Sequence, residues 1–184
     1  KKDIRENPNW KGPEDLSFSG TVMWDEDNFY LMAIVTDDIY STNYEPLQPQ
    51  YSYRGDNVQF ALDDRLEINS VETSEINELS IGNLDGWGSF VFRHNSYYGL
   101  QKNVQLEGVE ACVKRYDTYT VFEAAIPFDS IFYEDFEIDT SRPYRFSVMI
   151  NENDGVGRKG WIQYTSGIGS YKDVTEFGTI RFIK

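Results

Sequence analysis

Apolar positions along this chain come in short runs separated by turn residues. Val58, Phe60 and Leu62 alternate with Gln59 and Ala61, the period-two pattern of a strand with one buried side. Similar runs predict strands over Phe18–Met23, Phe29–Val35, Val58–Leu62, Glu78–Gly82, Ser89–Phe92, Val109–Arg115, Thr118–Ile126, Tyr144–Ile150, Trp161–Tyr164 and Phe177–Ile183. Phe29–Val35 is apolar at every position and predicts a central strand covered on both sides. Turn formers cluster between the runs, at Asp25-Glu26-Asp27-Asn28, Asp85-Gly86 and Asn153-Asp154-Gly155. Tyr116-Asp117-Thr118 joins two apolar runs and predicts a tight hairpin. The only helical signal is one turn at Pro127–Ile131. About ten short strands spaced in this way predict an all-β fold, an antiparallel β-sandwich of jelly-roll type. Asn43–Tyr53, with Pro46, Pro49 and three tyrosines, is the longest polar loop before residue 64, and a loop of that length is expected to be functional.

The chain has 184 residues, the size of one domain (1–184) that buries about 70% of its unfolded surface without a disulfide. Cys112 and His94 are the single cysteine and histidine, which excludes thiolate zinc sites, redox Cys pairs and multi-histidine centres. Lys+Arg number 17 against 31 Asp+Glu, a formal net charge of −14. Such a surface repels phosphate and anionic lipid, so neither nucleic acid nor a membrane is expected as a partner. It also disfavours anionic ligands such as uronate polymers, unless calcium bridges them. No apolar run approaches the length of a bilayer span. The opening Lys1-Lys2-Asp3 reads as the start of a piece cut from a longer precursor.

With 13 Tyr, 12 Phe and 4 Trp, the chain holds more rings than a sheet core of this size requires. Tyr and Trp combine an apolar face with a polar tip, which suits a half-wet binding surface. Sugars have apolar C–H faces and hydroxyl edges, so they need a ring to lie on and planar polar groups around it. Tyr44, Tyr51 and Tyr53, and Tyr164 and Tyr171 around Gly167-Ile168-Gly169, are candidates, with an ordinary core or rim role as the plainer alternative. Trp161 fits equally a core position or a wall of the site. Trp87, between Gly86 and Gly88, fits a packed strand start or an exposed platform. Asp37-Asp38, Asp56, Asp63-Asp64 and Asn151–Asp154 supply the hard oxygen ligands that calcium takes, although Asp and Asn are also ordinary turn formers. Asn151–Ile162 is not an EF-hand loop, because its twelfth position is Ile162. Met23, Met32 and Met149 lie in apolar strands and read as core filler rather than haem ligands. There is no nucleophile elbow, P-loop or His-Glu-x-x-His, so the chain is not expected to be an enzyme.

Several segments, in order, resemble the family 9 carbohydrate-binding modules and their family-9-like relatives. They are Trp10–Ser17; Met23-Trp24-Asp25-Glu26 with Phe29-Tyr30-Leu31 and Val35-Thr36-Asp37-Asp38; Gly55–Asp63; Phe122–Phe128; and Asn151–Gly160 with Trp161, Tyr164, Tyr171-Lys172-Asp173 and Phe177-Gly178. The resemblance implies a non-catalytic, calcium-binding β-sandwich attached to a secreted glycoside hydrolase or lyase, hence an extracellular or cell-surface location. It further implies an oligosaccharide or polysaccharide ligand held between two rings, here aligned with Tyr53 and Tyr164. Gln59, Ser80 and Asn151 are the implied hydrogen-bonding neighbours, with Tyr171 and Trp161 at the rim. Gln59 stands where the family has an acidic residue, and Ser80 roughly where it has an arginine. Asp37, Asp38, Asp56 and Asp154 are the implied calcium residues. The alternative is a structural sandwich of a multidomain extracellular protein that contacts other domains of its parent and has lost sugar binding.

Overall fold

The computed structural model describes residues 9–67, 75–169 and 171–183; the opening Lys1-Lys2-Asp3 lies outside them. Eleven strands form two antiparallel sheets: β1 (Leu16–Trp24), β2 (Asn28–Asp37), β3 (Asn57–Asp63), β4 (Glu78–Leu84), β5 (Gly88–Asn95), β6 (Val104–Gln105), β7 (Glu110–Arg115), β8 (Tyr119–Pro127), β9 (Tyr144–Asn153), β10 (Arg158–Gln163) and β11 (Gly178–Ile180). One sheet has the order β1-β2-β8-β7. The other has the order β10-β9-β3-β4-β5-β6, with β11 added beside β9. The expected all-β sandwich is therefore the fold. The two-residue β6 lacks a sequence signal because it is too short to show a period.

The sheets pack on each other through alternate side chains. Phe29, Leu31, Ala33 and Val35 of β2, Phe122 and Ile126 of β8, and Val58, Phe60 and Leu62 of β3 fill the space between them. β2 alternates along its whole length between buried and half-buried positions. This corrects the reading of Phe29–Val35 as covered on both sides: β2 is central in its sheet, but Tyr30, Met32 and Ile34 look outward from the sandwich. Met23 is likewise 66% exposed, not core filler.

The second sheet behaves differently. Every residue of β3 is buried, as is nearly all of β9. Loops cover its outer face, supplying the second layer that period-two patterning leaves to water. One cover is the 43–56 segment, including a 3₁₀ turn at Pro49–Arg54. It packs Tyr44 and Tyr51 on Leu84, Phe90 and Phe92. The other is the 164–177 segment, where Ile168, Val174 and Phe177 pack on Ala61 and Met149 beside Trp161. Gly169 permits this packing, since a Cβ there would lie 2.4 Å from Trp161 Nε1.

Candidate functional site

Between these two small apolar clusters, the outer face of the second sheet is polar. β3 places Asn57 and Gln59 on it, opposite Asn151 and Met149 of β9, and β4 places Ser80 opposite Gln59. Buried amides cannot be left unpaired without cost, and these form one network. Asn151 Nδ2 donates to Asn57 Oδ1 and to Gln59 Oε1, each at 2.6 Å. Gln59 Nε2 donates to Glu78 Oε1 at 2.8 Å, and Lys172 Nζ reaches the same oxygen at 2.6 Å. Asn57 Nδ2 donates to Ser52 Oγ, which lies 3.2 Å from Ser80 Oγ; His94 Nε2 lies 2.9 Å from that hydroxyl. Asn151 Oδ1 has no protein hydrogen-bond partner, leaving a buried acceptor in the network. Burial holds the His94 imidazole below its usual pKa; Glu78 opposes that shift and Lys172 adds to it.

Aromatic and cationic side chains close over this floor. The Tyr53 ring makes an edge contact with His94, centroid to centroid 6.5 Å. Trp161 projects from β10, where its backbone pairs with Asn151. The Arg158 guanidinium lies 4.2 Å from the Trp161 ring and 5.9 Å from the Tyr53 ring, so it stands between the two.

The sequence-predicted residues therefore separate. Gln59, Ser80 and Asn151 share the floor, with Tyr53 and Trp161 above it. Tyr164 does not face Tyr53. Ile162 points into the core, so Trp161 and Gln163 share the outer face and Tyr164 has the inward parity. The Tyr164 ring lines a separate opening between the sheets with Phe18, Phe146, Val148 and Ile180. Tyr171 is 49% exposed and donates its hydroxyl to Glu176; its neighbour Lys172 is the side chain that reaches the floor. Trp87 is 51% exposed on its turn, rather than packed at a strand start. Sequence reasoning missed Glu78, His94, Arg158 and Lys172. Glu78 was within reach of it, being two residues before Ser80 on one strand and so on the same face.

A second cluster adjoins the floor where β3 begins and β9 ends. Asp37, Asp38 and Asp154 each offer a carboxylate oxygen, all within 4.8 Å of one another. Asp154 Oδ1 is buried without a hydrogen-bond partner. Asp56 sits beside this trio rather than in it, because its carboxylate accepts the backbone N–H groups of Ser41 and Asn153. Burial raises the pKa of Asp56, and the charge of Asp37 raises it further; burial likewise raises Asp37, with Glu152 and Asp38 adding to the shift. Lys159 Nζ answers part of the charge, at 2.6 Å from Asp154, 3.2 Å from Asp15 and 3.3 Å from Glu152. Clustered hard oxygens, an orphaned carboxylate atom and an excess of negative charge fit a divalent cation of the calcium type.

The model of the family described as carbohydrate family 9 binding domain-like matches residues 2–184. The fold is similar to a family 9 carbohydrate-binding module of Caldicellulosiruptor kristjanssonii solved with cellotriose: TM-score 0.68 at 16% identity, over 94% of this chain and 77% of that one. The structure of such a module from the same organism with glucose gives the same TM-score and identity, over 94% of this chain and 80% of that one. No curated protein matches the chain by sequence.

Proposed function

The chain belongs to the carbohydrate family 9 binding domain-like family, and from that premise we propose that it is a non-catalytic carbohydrate-binding module whose site is the covered outer face of the second sheet. The observation that carries this reading is the buried amide network under Tyr53 and Trp161, with the acceptor Asn151 Oδ1 left without a protein partner. A structural sheet face has no use for so many buried polar groups. A sugar has matching hydroxyls for them and a C–H face for the rings. Each stacked ring is worth on the order of 1 kcal/mol beyond burial. A few such contacts give dissociation constants of roughly mM to µM. The acidic and cationic groups that Gln59 and Ser80 do not supply are supplied nearby by Glu78 and Lys172, which are paired with each other.

In this reading Asp37, Asp38 and Asp154 hold a structural calcium ion. Asn153 joins that region to the site: its backbone N–H donates to Asp56, and its Nδ2 donates to the carbonyls of Asn43 and Arg54. Calcium would thus brace the loop that carries Tyr53. The module's role is to hold an attached glycoside hydrolase or lyase near its polysaccharide outside the cell, raising effective concentration without chemistry of its own.

The test is a glycan array in calcium, comparing the protein with its Y53A/W161A double variant. Binding that disappears in the variant supports the site. Silence from both forms, with both folded, favours the interaction sandwich instead.

A further inference from the structure

The walls of this site carry guanidinium groups, which a pocket for neutral sugar does not need. Arg158 stacks on Trp161 at 4.2 Å. Arg54 lies 4.8 Å from the Tyr51 ring and 5.7 Å from that of Tyr53. Both arginines line a cleft of about 610 Å³ with Tyr53 and Glu45, whose far lip is the turn Gly155-Val156-Gly157. A chain of net charge −14 has gathered cations here against its own field.

Stacking uses the face of a guanidinium and leaves its edge of N–H donors in plane, a rigid fork that matches a carboxylate. With Arg158 against Trp161, a ligand entering from the cleft meets a ring-backed cation on that side and the Tyr53 ring on the other. Arg54 is partly committed, since its Nη1 donates to the Glu45 carbonyl at 2.5 Å. In the floor Lys172 neutralises Glu78. The remaining acid at the cleft is Glu45, on the rim.

We infer that the site selects an acidic hexose, a glycan unit with a carboxylate at C6, its ring on Tyr53 and its carboxylate on Arg158. This rests on the carbohydrate reading above and names the substrate class within it. The overall acidity opposes dense polyanions at long range, but salt screens that field over about 8 Å, whereas a contact pair is screened far less. A single acidic unit fits; a run of them does not.

Titration of the protein in calcium, followed by NMR, compares methyl glucoside with methyl glucuronide, and methyl galactoside with methyl galacturonide. The uronides are expected to bind about tenfold more tightly. That preference shrinks in about 0.5 M NaCl. It falls to about one in R158A and R158Q, and R158K recovers only part of it, because an ammonium lacks the fork. Equal affinity for the members of each pair overturns the inference and leaves the carbohydrate reading standing. Tighter neutral-sugar binding by R158A also overturns it, making Arg158 a plug in the slot. A 6-sulfated glucoside preferred over the glucuronide assigns a tetrahedral anion instead of a carboxylate. If neither series binds to a protein whose thermal melt shows it folded, the sugar reading falls and this inference with it.

Discussion

The floor under Tyr53 and the acid cluster beside it are built from adjacent residues and differ in one respect, charge balance. Asp56 and Asn57 are neighbours, as are Asn151 and Glu152, yet each pair is split between the two regions. On the floor, Glu78 is 3% exposed and answered by Lys172 and Gln59, and amides satisfy one another around it. In the cluster, Asp37, Asp38, Asp56, Glu152 and Asp154 crowd together with Lys159 against three of the surrounding acids. A balanced buried network is complete as folded and adds specificity. An unbalanced one stores repulsion that a cation relieves. The same substitution, removal of one charge, should therefore have opposite signs in the two regions.

The largest expected effect is calcium removal. A ligand present at about 100 times its dissociation constant stabilises by about 3 kcal/mol. For a chain of this size that corresponds to a Tm change of about 6–12 °C. Calorimetry with and without chelator measures it, and D37N/D154N should abolish the difference. Unchanged melting on chelation would remove calcium from the account and leave the cluster as solvated turn formers.

Lys172→Met comes next. It leaves Glu78 buried with Gln59 as its remaining side-chain partner. Breaking a buried pair one-sidedly costs a few kcal/mol, and the 29% exposure of the Lys172 side chain reduces this to about 2 kcal/mol. Denaturant titration should show that loss. Stability unchanged by the substitution would mean that Glu78 is protonated or hydrated, and the floor is then not balanced as described.

The mirror experiment is Asp38→Asn, which removes one negative charge from the other region. In chelator it is expected to stabilise the protein by about 1 kcal/mol, because it relieves repulsion; with calcium present the same change should destabilise. If both conditions shift in the same direction, the contrast between the regions is lost.

The strands were legible because a period of two survives wherever one face meets water, as in β8, where buried residues alternate with half-buried and exposed ones. The outer layer on the second sheet was not, since Ile168, Val174 and Phe177 reach Ala61 and Met149 through loops that have no period. Within the site, Gln59, Ser80 and Asn151 could be read because strand parity sends them to one face. Tyr164 failed by the same rule: counting from the core residue Ile162, it has the wrong parity and Trp161 the right one. Lys172 lies 94 residues from Glu78, and no local pattern joins them. Asp37, Asp38 and Asp154 were legible as acids at strand ends, whereas the involvement of Lys159 depends on the fold.

The smallest effect concerns His94 and separates the floor from the cluster by pH. Burial lowers the His94 pKa below the unfolded value near 6.5. Below that value the unfolded chain takes up a proton that the folded chain refuses. The contribution of His94 is therefore fully present above pH 6.5 and declines as the pH falls toward the folded pKa. Protonation would also fix Nε2 as a donor to Ser80 Oγ, forcing that hydroxyl to turn toward Ser52. Thermal melts from pH 8 to about pH 5.5 in saturating calcium, which holds the acid cluster ionised, should show a loss on the order of 1 kcal/mol, and His94→Gln should flatten it. Parallel slopes for both proteins would assign the pH dependence to other groups, and the floor would then be insensitive to acid across this range.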